Sequence, residues 1–349
     1  MERVKVGVLG ATGAVGQMFV RLLEGHPWFE LTEVAASGRS AGQRYADVVS
    51  WKQETPLPAA ARDLVVKPCE PDLDCQIVFS GLAAEVAGPI EQAFARAGYL
   101  VLSNARNHRM DADVPLVIPE LNPDHLQLIP RQRRERGWSG AIVTNSNCST
   151  MFLALALGPL DRAFGVERVL VTTLQAVSGA GYPGLPSLDI LGNVIPYIGG
   201  EEEKIETESR KILGRLEGDR ICPAPFTVSA QVNRVPVLDG HTECVSVAFR
   251  RPPTPAEAIE ALRSFRGLPQ ERGYPSAPSA PVRVLAEQDR PQPRLDVWRE
   301  RGMAALVGRV RPCPVLDLKF VVLGHNTVRG AAGASILNAE LMLDQGWLR

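Results

Sequence analysis

The readable pattern opens with VKVGVLGATGAVGQMFVRLLEG, Val4 to Gly25. A β-branched run closes on a glycine, a short turn follows, and helical periodicity takes over at Ala14. The segment GATGAVG sets Gly10, Gly13 and Gly16 between strand and helix. A dinucleotide needs a tight turn there, close backbone approach to its pyrophosphate, and helix N-terminal amides aimed at the oxygens. Glycines at this spacing mean little alone; the strand–turn–helix context gives them weight.

The alternation continues to about residue 145. LTEVAAS (Leu31 to Ser37), CQIVFSGL, LVLSN and AIVTN read as strands, and EVAGPIEQAFARAG reads as a helix. Strands alternating with helices predict an α/β unit with a Rossmann-type, doubly wound parallel sheet. After Cys148 the texture changes. A helix (MFLALALGPLDRAFG), a strand (RVLVTTLQAVSGAG) and a polar helix (EEEKIETESRKILG) come first. The strands AQVNRVPV, TECVSVAFRR, MAALVGRVRP and LDLKFVVLG follow. These runs of strands predict a second, α+β domain on a mixed sheet. The closing helix, GAAGASILNAELMLDQG, is expected to return to the first domain. The expected units are 1–147 with 327–349, and 148–326.

The 349 residues carry a formal charge of −1, which gives no reason to expect nucleic acid or an anionic membrane as partner. The basic cluster RQRRERG (Arg131 to Gly137) reads as a solvated helix end. Cysteines stand at 69, 75, 148, 222, 244 and 313, with no C-x-x-C pair and no histidines at zinc spacing. That scatter predicts reduced thiols in a cytoplasmic protein and no metal site. MERVKVGVLGATG runs straight into a strand, so no signal peptide is expected. The apolar stretch MFLALALGPL is about half a membrane span and reads as core.

The choice of dinucleotide follows from the end of the second strand. An acid there normally holds the ribose hydroxyl of NAD. Here the residues are Ser37, Gly38, Arg39 and Ser40, and Glu33 lies too early in the strand. A cation among small hydroxyl donors suits a 2′-phosphate, so NADP is the expected cofactor.

TNSNCSTM (Thr144 to Met151) places Cys148 where a strand ends and a helix begins. A thiolate beside a nicotinamide can add to an aldehyde, and the adduct loses hydride to become a thioester. The helix dipole is expected to favour the thiolate, with Ser146, Asn147 and Ser149 as caps or donors. Of the five histidines, His241 is singled out by LDGH. Read as a hairpin with Asp239-Gly240 at the turn, it projects Arg234 and His241 from one face. A guanidinium for a carboxylate beside an imidazole for a proton outlines a substrate site. Glu201 and Lys204 share a helix face and suit an ammonium and an anion. QAVSGAGYPG (Gln175 to Gly184) ends a strand in a glycine loop fit for close approach to a ligand.

Taken in order, GATGAVGQ, RMDADVPLVIPELN, TNSNCST, QAVSGAGYPG, EEEKIETES, NRVPVLDGHTE, RPQPRLD and HNTVRGAAGASILNAE resemble the aspartate-β-semialdehyde dehydrogenase family, in its archaeal and fungal-like branch. The resemblance spans nearly the whole chain. It implies Cys148 as nucleophile, His241 as general acid/base and Gln175 as orienting the acyl group. It implies that Arg234 and Glu201 hold the amino acid's carboxylate and ammonium, and that Arg109, Asn147 and Lys204 form a phosphate site. Gly10, Thr12, Gly13, Ala14, Val15, Ser37, Arg39, Ser40, Ser178, Gly179 and Asn326 match the family's NADP contacts. The implied reaction is reversible reduction of 4-phospho-L-aspartate to aspartate 4-semialdehyde, with release of phosphate, in a homodimer or homotetramer. One departure is Ser146, where many relatives have proline. A malonyl-CoA reductase would share scaffold and thiol but needs neither Glu201 nor the Asn147 donor. N-acetyl-glutamyl-phosphate reductases match less of the chain. A non-catalytic dinucleotide sensor would not need Cys148 and His241.

Overall fold

The computed structural model describes residues 2–348. Six parallel strands form the first sheet: β1 (Val4–Leu9), β2 (Phe29–Ala36), β3 (Val66–Pro68), β4 (Ile77–Ser80), β5 (Leu100–Ser103) and β6 (Ala141–Thr144). Their order is β3-β2-β1-β4-β5-β6, so the winding reverses between β1 and β4. Helices α1 (Ala14–Leu23), α2 (Ala84–Arg96) and α3 (Ile129–Arg136) connect successive strands. Strands β4, β5 and β6 are buried at every position, which is why they read as apolar runs rather than alternating ones. In such sheets the crevice at the reversal takes the ligand. The glycine turn after β1 opens onto it.

The basic cluster falls on α3, which ends at Gly137 in the left-handed conformation (φ +65°). Its arginines are more engaged than a solvated end suggests, since Arg136 pairs with both Asp111 and Asp113.

Helix α4 (Cys148–Phe164) starts where β6 has just ended. Its residues Met151 to Leu157 are fully buried, and they pack against the second sheet. The apolar stretch is therefore the central core helix. Among the described residues, no helix is long and apolar enough to cross a membrane.

The second half supplies β7 (Val166–Gln175), a ribbon of β8 (Arg215–Glu217) with β9 (Arg220–Cys222), β10 (Thr227–Arg234), β11 (His241–Phe249), β12 (Val282–Val284), β13 (Ala305–Pro312) and β14 (Leu318–Gly324). The larger sheet runs β10-β7-β11-β14-β13-β12 and is mixed: β10 is parallel to β7 and β12 to β13, and the other pairs are antiparallel. Helix α5 (Glu201–Ile212) packs on α4 and β10, and α6 (Pro255–Ser264) packs on α4. Helix α7 (Gly333–Asp344) returns to the first sheet, with Ile336, Leu337 and Met342 in one core with Val8 and Phe79.

The expected LDGH hairpin does not form. Strands β10 and β11 lie on opposite sides of β7, and the chain between them crosses the end of β7. That crossing is pinned by Val235 N–H to the Gln175 carbonyl (3.0 Å) and Val177 N–H to the Val237 carbonyl (2.8 Å). Arg234 stands opposite Gln175 on one side of β7, and Thr242 opposite Leu174 on the other. Arg234 and His241 thus flank the end of β7. They meet as the hairpin reading required, but for a different reason. An alternating segment fits either topology, and only strand pairing chooses between them.

Candidate active site

Asn147 closes the N-terminus of α4. Its Oδ1 accepts the N–H groups of Ser149 (3.0 Å) and Thr150 (3.1 Å), two donors that a helix start leaves unpaired. Its Nδ2 donates to Glu201 Oε2 (2.8 Å) and its backbone N–H to Glu208 Oε2 (2.6 Å). Cys148 follows as the first helical residue. Gly330, from the HNTVRG stretch, lies against it so closely that a Cβ would come within 2.9 Å of the Cys148 Cβ. The Cys148 Sγ is 3.1 Å from His241 Nε2, and the Ala176 N–H donates to His241 Nδ1 at 3.1 Å.

The remaining polar residues close around this pair. Glu201 also takes the Lys204 ammonium (2.6 Å) and a long contact from Gln175 Nε2 (3.4 Å). Arg234 donates to the Ala176 carbonyl at 2.7 Å, and Gly179 lies against both Arg234 and His241. Arg109 pairs with Glu208 Oε1 (3.0 Å) and donates to the Asn104 carbonyl (2.7 Å). Cys148, His241, Gln175, Asn147, Glu201, Lys204, Arg234 and Arg109 are thereby brought into one cluster. Glu208, which the sequence reading passed over, ties Arg109 to the cysteine loop. Its spacing was the available signal: Glu201 and Glu208 are seven apart, two turns along one helix face. Ser146 Oγ is buried without a hydrogen-bond partner among the described residues.

Burial, then the Glu201 charge, pushes the Cys148 thiol up to about 12; Arg109, Arg234 and the Ser149 N–H pull the other way. The expected thiolate is therefore not the favoured form in this unliganded site. A helix dipole is worth about 0.3–1 kcal/mol, too little to offset desolvation of a buried thiolate. Burial and the Arg234 charge push His241 down to about 3, which keeps the ring neutral. Burial opposes the Glu201 carboxylate, yet Lys204, Asn147 and Gln175 hold it below its ordinary value. Glu243, two residues past His241, has both oxygens buried without partners among the described residues, and burial raises it well above the carboxylate range.

The glycine turn has the shape a pyrophosphate requires. Gly10 has φ +75°, and a Cβ on Gly16 would fall 2.1 Å from the Gly10 carbonyl oxygen, so only glycine closes the turn this tightly. Thr12, Gly13, Ala14 and Val15 remain accessible over the start of α1. Glu33 is engaged by Lys67 (3.0 Å) and the Asp74 N–H (3.1 Å), so it is not free for a ribose. Ser37 and Arg39 are exposed on the loop after β2, with Ser40 half-buried beside them. Asn326 joins the two halves: its Nδ2 donates to Ser178 Oγ and its Oδ1 accepts the Gly240 N–H, both at 2.8 Å. A cleft of about 430 Å³ runs from Ala14 past Ser178 to His325, with apolar walls from Met18, Leu185 and Trp298. The size and apolar walls of this cleft suit a dinucleotide.

A dinucleotide crevice beside a half-buried cysteine in contact with a buried histidine describes a class, the dehydrogenases that act on aldehydes through a thiol. Family models agree: residues 5–129 match the semialdehyde dehydrogenase NAD-binding domain, and residues 157–329 match its dimerisation domain. The chain is 53% identical to the aspartate-semialdehyde dehydrogenase of Methanothermobacter thermautotrophicus, over 97% of this chain and 99% of that one. It is 51% identical to that of Cryptococcus neoformans, over 99% of both. The crystal structure of the Candida albicans enzyme with NADP superposes with a TM-score of 0.91 at 46% identity, over 99% of each chain. The chain belongs to the aspartate-semialdehyde dehydrogenase family.

Proposed function

We propose that this chain catalyses the NADP-dependent, reversible reductive dephosphorylation of 4-phospho-L-aspartate to L-aspartate 4-semialdehyde through an acyl-cysteine. The reaction serves the biosynthesis of lysine, threonine, methionine and isoleucine. The observation that carries the reading is the 3.1 Å contact of Cys148 Sγ with His241 Nε2, at the start of a helix beside the dinucleotide cleft. When bound, NADP supplies the hydride acceptor, or in reverse the donor. Cys148 forms the covalent bond, His241 handles the proton at the sulfur and the substrate oxygen, and Gln175 orients the acyl group. Arg234, whose guanidinium has no carboxylate partner among the described residues, binds the substrate carboxylate. Glu201 takes the ammonium in place of Lys204, which is then free to join Arg109 and Asn147 on phosphate. Gly10, Thr12 to Val15, Ser37, Arg39, Ser40, Ser178, Gly179 and Asn326 hold the cofactor.

Residues 1–147 with 327–349 form the cofactor unit, and 148–326 the catalytic and dimerisation unit. The partner is a second copy of this chain on the outer face of the second sheet. Support comes from exposed Leu170 on β7 and from Leu188, Leu191 and Tyr197 in the loop beyond it. A tetramer would pair two such dimers, and the cytoplasm is the compartment that suits a biosynthetic enzyme with free thiols.

The test is NADP+ reduction with aspartate 4-semialdehyde, with and without phosphate. Phosphate-dependent NADPH formation is expected, falling by at least about 10³-fold in Cys148→Ala. Turnover without phosphate, or an active Cys148→Ala, refutes the assignment. Malonyl-CoA with NADPH is expected to give no reaction.

A further inference from the structure

Helix α5 carries a fourth charged side chain on the face that presents Glu201, Lys204 and Glu208. Lys211 lies one turn beyond Glu208, so the four form one stripe along the helix. It is buried, and its ammonium donates to the backbone carbonyls of Arg109 (2.7 Å), Asp111 (2.8 Å) and Val114 (2.8 Å). An ammonium has three N–H donors, and all of them are spent here. Burial pushes Lys211 down to about 8, against the pull of Asp111, Asp113 and Glu208, so it stays charged at neutral pH. Among the described residues, no other donor reaches the Arg109 and Val114 carbonyls.

The segment held this way begins with Arg109 and ends beside the cysteine strand. The Val114 N–H turns back to the Asp111 carbonyl (3.3 Å), and the next carbonyl, on Pro115, accepts the Thr144 N–H at the end of β6 (2.9 Å). Arg109 spends its two terminal nitrogens on Glu208 and the Asn104 carbonyl, but its Nε is buried with no partner among the described residues. One helix therefore grips Arg109 twice: Glu208 holds the guanidinium, and Lys211 holds the main chain. Resting on the function proposed above, we propose that Lys211 is a positioning residue for phosphate. It locks the 109–114 loop so that Arg109 meets the anion, and does not touch the anion itself.

The arrangement separates two halves of the reaction. In the oxidative direction the acyl-cysteine and NADPH form first, through Cys148, His241 and Arg234, and phosphate is needed only afterwards. Those three residues stand on α4, β11 and β10, and among the described residues none of them hydrogen-bonds to the 109–114 loop. The loop's other ties are to its own side, with Arg136 on Asp111 and Asp113, and His108 on Asp111 (2.9 Å). A positioned group that drifts by a fraction of its reach loses most of its value. Loosening this loop therefore weakens phosphate capture and leaves acylation in place.

The test reads the two halves apart. With aspartate 4-semialdehyde and NADP+ but no phosphate, stopped-flow absorbance is expected to show a single burst of NADPH, whose size counts the sites that acylate. Lys211→Met keeps the length of the side chain and loses all its donors. Its burst is expected within about twofold of wild type, with the phosphate KM raised about 10–100-fold and the semialdehyde KM held. Lys211→Gln keeps two N–H donors, so its phosphate KM is expected between the two, and it answers the question if the methionine variant does not fold. In an Arg109→Ala background, Lys211→Met is expected to add nothing to the phosphate KM, because the group it positions is gone. An unchanged phosphate KM, a burst lost in step with it, an equal rise in the semialdehyde KM, or an additive effect in the Arg109→Ala background overturns the proposal. Absence of phosphate-dependent turnover in the wild type would instead refute the functional reading, before any variant is compared.

Discussion

The two walls of the site are built differently. The helix wall, from α5, presents Glu201, Lys204 and Glu208, and each is already committed: Glu201 to Lys204, Asn147 and Gln175, and Glu208 to Arg109 and the Asn147 N–H. The strand wall presents Gln175, Arg234 and His241 at the end of β7. Among the described residues, the Arg234 side chain donates only to a carbonyl there, and the His241 Nε2 faces only the sulfur. Buried charge is tolerable where it is paired, so the helix wall serves as a frame that holds Cys148 in place. The strand wall keeps the unspent charge of Arg234, whereas a substrate ammonium on the helix wall, as proposed above, must displace Lys204 from Glu201.

Breaking the frame is expected to cost folding as well as catalysis. Glu208→Ala leaves the buried Arg109 guanidinium without its carboxylate, with the Asn104 carbonyl still accepting from it, and frees the Asn147 N–H. The expected loss is about 3–5 kcal/mol of stability, read by urea unfolding, with kcat falling as the cysteine loop loosens. A full-strength variant would show that Glu208 frames nothing. Arg234→Ala should spare the fold and raise KM for the semialdehyde by about 10–100-fold, the worth of a hydrogen bond to a charged group. An unchanged KM would move the carboxylate site elsewhere. Away from both walls, Arg39→Ala is expected to weaken NADP binding about tenfold, or 1.4 kcal/mol, and to leave NAD binding alone; fluorescence titration of both cofactors reads the difference. The smallest effect belongs to Ser146→Pro. The Ser146 hydroxyl is an orphan, and a proline there removes unfolded-chain entropy, so a gain of about 0.4–1 kcal/mol in unfolding experiments is expected. A loss would mean that the Ser146 backbone cannot adopt the proline geometry.

Much of this was legible because it is local. Gly10, Gly13 and Gly16 stand within one turn, and Asn147 caps the helix that Cys148 begins. Motifs carried by neighbouring residues survive translation from sequence to structure. What the sequence concealed was pairing at a distance. LDGH has every local feature of a hairpin, yet β7 inserts between β10 and β11, because a parallel partner arriving from elsewhere in the chain leaves no local mark. Glu208 was hidden for the same reason, since a carboxylate on a polar helix looks solvated until Arg109, ninety-nine residues away, is known to face it. The favoured thiolate failed on a related ground: a helix start is readable from sequence, but the depth of burial that outweighs its dipole is not.

The sequence by itself determined the chemistry available: a glycine turn for a dinucleotide, a cysteine at a helix start, and a histidine, an arginine and an acid to surround it. Those are properties of residue type and short spacing. The tertiary structure alone decided which carboxylates are spent on ion pairs and backbone contacts, and which guanidinium is left without a carboxylate among the described residues. Each of those depends on a backbone N–H, a carbonyl or a charge delivered by a segment far away in the chain.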